Sequence, residues 1–358
     1  MFEREPGRSL ERALLEDPDD GEAWAVFADF LEPHLPVLAE RIAFELQAQA
    51  SGDEGQRELW EARVRAFDLD KRGKWLDAGT RKLFDKHKRT PAGVELDWRY
   101  GFMSELRLDG RRLHARSSLE VMLRRVTESP LARFLGAVKI DGRGRAQRER
   151  EAVAALLRQA SPREALRVID YQDDEGRVSV DELLAWAPKV ERVHVRGCGR
   201  PPSRRSESLR SLNLALREGR GEAPLRLPRL RELALECWRV PPDQHEELIG
   251  TTLHSMFEGA ELGELRRMRV HVRYLHGDPI VYALRELGLL RRLRVLEFPE
   301  GIHGKLVLQV LMAESQDRPL SLRLVVNAHE LNAGEIEALG RRGVELVERG
   351  YRQFAPFE

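Results

Sequence analysis

The chain has 358 residues, of which 42% are hydrophobic and 34% charged, as is typical of a globular protein with a heavily charged surface. Its 60 basic and 60 acidic residues give no net charge, which argues against a dedicated nucleic-acid binder. No apolar stretch reaches the roughly 18–20 residues that span a bilayer, and no secretory signal pattern is present. Two cysteines, Cys198 and Cys237, do not support a disulfide framework, so we expect a cytoplasmic protein that does not enter a membrane.

The charges are unevenly distributed. Residues 1–60 contain 5 basic and 15 acidic side chains, so the remainder of the chain is basic. Of the 60 basic residues 52 are arginine, whose planar side chain makes forked contacts with carboxylates and phosphates. We predict that the acidic head and the basic body either attract each other or bind two different partners.

The first residues predict a helical segment. Two short helices are expected within residues 9–31, with Ser9 as the N-cap of the first. The turn Asp17-Pro18-Asp19-Asp20-Gly21 ends one helix and begins the next. Spacing by threes and fours predicts a further helix from Pro36 to Ala50, paired with another over Arg57–Phe67.

Several of these residues resemble a known domain. The runs are Leu14-Leu15-Glu16-Asp17-Pro18-Asp19-Asp20, Phe27-Ala28-Asp29-Phe30-Leu31-Glu32 and Phe44-Glu45-Leu46-Gln47, followed by Trp75-Leu76 and by residues 94–102. Together they are similar to the "repeat-companion" domain at the head of many myxobacterial and planctomycete proteins. The resemblance covers roughly residues 9–110 and departs from the pattern at residues 33–36. It implies a helical head in front of leucine-rich repeats and implies no activity, because the family has none established.

An apolar triplet with the spacing L-x-x-L-x-L recurs in the rest of the chain, and this is the strand signature of leucine-rich repeats. The clearest examples are Met103/Leu106/Leu108, Leu135/Val138/Ile140, Val190/Val193/Val195, Leu209/Leu212/Leu214, Leu230/Leu233/Leu235, Leu265/Met268/Val270 and Leu293/Leu296/Phe298. Leu166/Val168, Leu322/Leu324 and Val344/Leu346 are weaker matches that lack the first apolar position. The pattern therefore predicts a row of parallel strands of uneven spacing.

Helical patterns lie between these strands, over Gln147–Ala160, Asp243–Phe257, Pro279–Leu290 and Gly334–Leu339. We therefore predict an α/β fold, with an acidic helical domain over residues 1–92 and an irregular leucine-rich-repeat solenoid with a parallel sheet over residues 93–358. Only Cys198 and Asn327 occupy the position at which regular repeats carry the turn-binding Asn or Cys. An ordinary α/β domain with Leu-rich strands remains the alternative.

Alternation along each predicted strand sends the triplet inward and the intervening residues to the concave face. The predicted partner-binding strip on that face contains Lys139, Arg167, Arg192, His194, Arg196, Arg267, Arg269, His271, Arg273 and Arg323. Arg107 extends it, whereas Ser211, Asn213, Glu232, Ala234 and Glu236 interrupt it. A solvated strand face of ordinary mixed charge is the alternative interpretation.

Catalytic and metal-binding patterns are absent from the sequence. There is no G-x-S-x-G motif, and Asp141–Arg145 lacks the ending of a phosphate-binding loop. Neither His194/Cys198 nor His271/His276 has the spacing of a zinc site, and helix capping accounts for Asp17, Asp19 and Asp20 better than calcium binding does. Basic loops such as 197–220 lack interleaved aromatic residues, so nucleic acid is not the expected partner.

These observations predict a non-enzymatic scaffold or interaction protein with no cofactor and no metal, whose concave face binds another protein. The alternative is a regulator that inhibits or activates a partner enzyme such as a small GTPase or a protease.

Overall fold

The computed structural model describes residues 5–84, 90–114, 117–173, 175–197, 201–216, 224–237, 244–271, 278–299, 304–316, 318–326 and 332–348. Within these residues the chain is a mixed α/β protein with a helical beginning and eleven strands, and strand order in the sheet follows chain order. The chain divides into two compact units, residues 1–170 and 171–358. The predicted boundary at residues 92/93 lies inside the first unit, and the predicted domain organisation stays a prediction.

The first unit begins with helices and continues with alternating strands and helices. Its helices are α1 (Gly7–Glu16), α2 (Gly21–Leu31), α3 (Pro36–Ala50), α4 (Glu54–Trp75), α5 (Ala78–Arg81), α6 (Leu119–Thr127) and α7 (Gln147–Gln159). Its strands are β1 (Val94–Arg99), β2 (Phe102–Asp109) and β3 (Ala137–Asp141), and β4 (Val168–Gln172) crosses the boundary between the units. The helix predicted from Pro36 to Ala50 is confirmed, whereas α4 is longer than the predicted Arg57–Phe67.

The helix caps follow the sequence in one case and not in the other. Asp20 caps α2 as predicted, because its Oδ1 accepts hydrogen bonds from the amides of Glu22 at 2.9 Å and Ala23 at 3.0 Å. The prediction that Ser9 caps α1 is wrong. That helix already begins at Gly7, and the Ser9 hydroxyl instead donates to the Pro6 carbonyl one turn earlier.

Strands β1 and β2 form an antiparallel hairpin. Tyr100 and Gly101 connect them, both with positive φ, of 52° and 77°. This left-handed pair matches the twist of antiparallel strands, and the glycine adopts it without steric cost. The Tyr100 ring stacks on Trp24 with the ring centroids 4.3 Å apart, and its amide donates to Glu45 at 2.7 Å. The hairpin turn is therefore fixed against α2 and α3.

The second unit consists of parallel strands alternating with helices. Its strands are β5 (Arg192–Arg196), β6 (Ser211–Leu216), β7 (Glu232–Cys237), β8 (Arg267–His271), β9 (Val295–Glu297), β10 (Leu322–Val326) and β11 (Val344–Glu348). Its helices are α8 (Val180–Trp186), α9 (His245–Phe257), α10 (Asp278–Glu286), α11 (Gly304–Glu314) and α12 (Ala333–Arg341). Each strand from β5 to β10 pairs in parallel with the next. The helices predicted at α7, α9, α10 and α12 are confirmed, but α6, α8 and α11 were not predicted.

The apolar triplets form the core behind these strands. Leu212, Leu233, Met268, Leu296 and Leu324 lie in one register row and are all buried. No single strand can bury such a row alone, so each stabilises the next by burying apolar surface.

The register predicted for β4 is wrong. The buried triplet there is Leu166, Ile169 and Tyr171, which restores the full L-x-x-L-x-L spacing instead of ending at Val168. The first apolar position is therefore present, and the third is an aromatic residue.

Candidate interaction surface

Along β5 to β10, residues that alternate with the buried triplets lie on the opposite face of the strands. We call this face the strand face. Arg192, Ser211, Glu232 and Arg267 occupy one row of this face, in direct register on β5 to β8. His194, Asn213, Ala234 and Arg269 form the next row. The strand face therefore has Glu232 beside Arg267, whereas Ser211, Asn213 and Ala234, which interrupt the predicted strip, are buried.

Glu297 organises the charges on β8 and β9. It accepts hydrogen bonds from Arg267 Nε at 3.0 Å and Arg269 Nε at 2.7 Å. Burial alone would raise the pKa of Glu297, but the hydrogen bond from Arg267 and the charge of Arg269 outweigh it and hold that pKa below its ordinary value. Glu297 is therefore ionised and neutralises much of the positive charge of the two arginines.

A second ionic cluster lies on β5, β7 and β8. Arg196 Nε donates to Glu236 Oε1 at 2.9 Å, reaching across β6, where the register position holds the small Ala215. His271 Nδ1 lies 3.8 Å from the other Glu236 oxygen. Burial raises the pKa of Glu236, but the hydrogen bond from His271 and the charges of Arg196 and His194 lower it by more. The pKa of Glu236 therefore lies below its ordinary value.

The predicted strip residues differ widely in exposure. Arg192 and Arg323 are exposed, and within the described residues Arg192 makes no hydrogen bond or ion pair while Arg323 has only Glu345 at 3.7 Å. Arg269, in contrast, is only 4% exposed. Arg269 is therefore not freely accessible, because Glu297 holds it within the packed row.

Of two further strip residues, one lies elsewhere than predicted and one lies outside the described residues. Arg167 is not a strand-face residue, because the register of β4 is shifted; it precedes the strand and donates to the Leu15 carbonyl at 2.9 Å. Arg273 lies outside the described residues, as do Cys198 and His276 of the two candidate metal pairs. A partner-binding role for the strip stays a prediction.

The first unit contains a smaller charged group on β2 and β3. Lys139 Nζ lies 2.8 Å and Arg107 Nε 2.5 Å from the same Glu105 oxygen. Burial raises the pKa of Glu105, but the hydrogen bonds from Lys139 and Arg107 lower it to a greater extent. Both cations are partly exposed, so this pairing contributes little stability and leaves them accessible.

Sequence reasoning missed a row of arginines beside the strand face. The row consists of the residues that follow the first apolar residue of a triplet, namely Arg210, Arg231, Arg266 and Arg294. The main-chain carbonyls of the first three each accept hydrogen bonds from two successive amides at the start of the next strand. The signal is readable as the recurring Leu-Arg-x-apolar tetrapeptide at residues 209–212, 230–233, 265–268 and 293–296.

Within the described residues, no group of three or more His, Cys, Asp or Glu side chains is placed to hold a metal ion. Across the same part of the chain, none of the helices combines the length and the apolar character that crossing a membrane requires.

Comparisons with known proteins give structural neighbours and no family. No protein-family model and no curated protein matches the chain. A crystal structure of a Bacteroides fragilis protein, a target of the Northeast Structural Genomics Consortium, aligns with 84% of this chain and 86% of its own, at 9% sequence identity and a TM-score of 0.37. A likeness at this level does not establish a shared fold.

Proposed function

We propose that the chain is a non-enzymatic interaction or scaffold protein that binds another protein through the concave face of an irregular leucine-rich-repeat solenoid. In this proposal the helical head belongs to the repeat-companion type that its sequence resembles, and the strand face is the concave face. A regulatory role toward a partner enzyme would use the same face and is a special case of the same proposal.

The observation that supports this proposal is the register of the strand face. Successive parallel strands place Arg192, Glu232 and Arg267 in one row, with neighbouring strands separated by about 4.8 Å. Such a row presents charges along an extended surface, which favours recognition of a macromolecule over a convergent catalytic site. Among its cations Arg192 is the most available, since it is exposed and makes no ion pair within the described residues.

The test is affinity capture from a lysate of the native host with the full chain as bait, quantified by mass spectrometry. We expect Arg192→Glu to lower recovery of the specific partner about tenfold or more, since reversing a charge in an interface costs on the order of 1.4 kcal/mol or more. Both baits should have the same unfolding midpoint, because the exposed Arg192 side chain makes no hydrogen bond or ion pair with a described residue.

The matched control is Arg204→Glu, an equal charge change at another exposed arginine of the second unit. It should leave recovery unchanged. Equal recovery with wild-type chain and Arg192→Glu would assign the partner to a different surface and contradict the proposal.

A further inference from the structure

A groove of about 640 Å³ lies at the ends where β8 to β11 begin. Its charged lining residues are Arg266, Arg291, Arg292, Arg294, Arg323 and Glu345. Among the described residues, five arginines against one glutamate give the lining a formal excess of four positive charges. The groove is distinct from the ionic clusters around Glu236 and Glu297, whose carboxylates balance their cations.

The arginines of the groove are not equally committed to the fold. Arg292 donates to the Leu262 carbonyl, and Arg291 donates to Glu314 at 2.6 Å, so both hold neighbouring loops and helices. Arg294 is exposed and makes no side-chain hydrogen bond or ion pair with any described residue. Arg323 has only Glu345, at 3.7 Å, and both side chains are mostly exposed. Arg294 and Arg323 are therefore available to bind an anion.

The backbone fixes these two arginines beside each other. The Arg323 amide donates to the Arg294 carbonyl at 2.8 Å, and the Arg294 amide donates in turn to the Arg266 carbonyl at 2.7 Å. Arg266 and Arg294 thus directly precede β8 and β9, and Arg323, in register with Val295, lies one position further along on β10. A guanidinium group binds a carboxylate through two parallel hydrogen bonds, so this staggered set suits several carboxylates in succession.

The dimensions and the chemistry of the groove favour a peptide. Its lining extends over four strands, which is three intervals or roughly 14 Å, the length of about four extended residues. Among the described residues no aromatic side chain lines the groove, so this lining offers nothing on which nucleic-acid bases stack. Glu345 at one end would repel a further carboxylate and so limit where an acidic segment is bound.

We propose that this groove binds an acidic peptide segment of a partner protein, whose aspartate or glutamate carboxylates contact Arg294 and Arg323. The inference rests on the proposed function, since it gives the chemistry and the position of one partner contact, and the groove shares Arg323 with the strand face. Binding depends on charge, so salt should weaken it. Dissolved ions screen exposed charges, with a screening length of about 10 Å at 0.1 M.

The test uses the full-length chain and a fluorescein-labelled peptide of consecutive glutamates, with an all-glutamine peptide of equal length as control. Fluorescence anisotropy should show saturable binding of the glutamate peptide, weakening as salt rises from about 0.05 to about 0.3 M, and no binding of the glutamine peptide. Arg294→Glu should raise the dissociation constant about tenfold or more. The matched reversal Arg204→Glu, at an exposed arginine that does not line the groove, should change it less than about twofold.

Three results would overturn the inference: no saturable binding of the glutamate peptide, binding that Arg294→Glu leaves unchanged, or tighter binding of a single-stranded oligonucleotide than of the peptide. Partner capture that depends on Arg192, together with no peptide binding, would reject the groove site and leave the proposed function standing. Peptide binding that depends on Arg294, together with no partner capture that depends on Arg192, would support the groove site and reject the strand face as the partner-binding surface.

Discussion

Glu297 is the carboxylate on which two strand-face arginines depend. It is 2% exposed, and Arg269 beside it is 4% exposed. Each ion lost hydration when the strand face formed, and the contact between them offsets much of that loss. Removing one partner alone leaves a buried charge with less compensation, whereas replacing both by apolar side chains does not. The pair therefore contributes more to the arrangement of the strand face than to the net free energy of unfolding.

We expect Glu297→Gln to lower the free energy of unfolding at neutral pH by about 3 kcal/mol, because the Arg269 charge stays buried. The pKa of Glu297 is lowered from 4.5 in the folded chain, so its ionisation stabilises the fold above pH 4.5 and this contribution is lost as the pH falls through the lower folded value. The variant should therefore be less stable near pH 7 and lose less stability on acidification than the wild-type chain. Urea unfolding across this pH range measures both effects.

Two comparisons isolate this interaction. Glu345→Gln removes a mostly exposed carboxylate and should change stability by less than about 0.5 kcal/mol. The double replacement Arg269→Met with Glu297→Leu should be more stable than Glu297→Gln. If Glu297→Gln and Glu345→Gln are equally mild, the buried pair does not have the role assigned to it.

Aspartates form the turns that follow three consecutive strands. After β2 and β3, Asp109 and Asp141 accept from the amides of Arg111 and Arg143, both at 3.0 Å. After β4, Asp173 is fully buried and accepts from the amides of Glu175, Gly176 and Arg177. A carboxylate two residues before the amide closes the turn in the way an asparagine does. These three strand ends are thus stabilised by aspartate side chains that accept from the amides of the turn.

Asp173→Ala should lower the free energy of unfolding by about 2–3 kcal/mol, because it leaves three part-buried amides and the buried Tyr171 hydroxyl without this acceptor. Asp109→Ala is the matched change at a more exposed turn with one amide contact, and about 1 kcal/mol is expected there. Chemical denaturation of both variants measures the difference. Equal losses would show that the buried turn after β4 is no more important than its exposed counterpart.

The chain as a whole was partly predictable, because its strands follow one repeated rule. The triplet spacing located β2, β3 and β5 to β9, since burial on one face of a strand requires that alternation. The register of β4 was missed because Tyr171 replaces an aliphatic residue, and α8 was missed although Ser179 and Glu182 form a capping box.

The charged surface was harder to predict for a physical reason. Arg269 and its partner Glu297 are 28 residues apart in the chain, and only the strand register brings them together. The triplet spacing therefore identifies basic residues on the strands, but it does not show which of them are neutralised by a carboxylate. The exposed arginines, Arg192 on the strand face and Arg294 in the groove, emerge only after the paired ones are recognised.

Site-specific photo-cross-linking in the native host tests most directly whether the strand face binds a protein. A photoreactive phenylalanine derivative would replace Glu232, which shares a register row with Arg192 and Arg267, and in a second chain Tyr282, an exposed aromatic residue of α10. We predict a discrete cross-linked product with one partner protein from position 232 and none from position 282. A cross-linked product from position 282 alone would contradict binding through the strand face. So would a product from position 232 whose yield Arg192→Glu leaves unchanged.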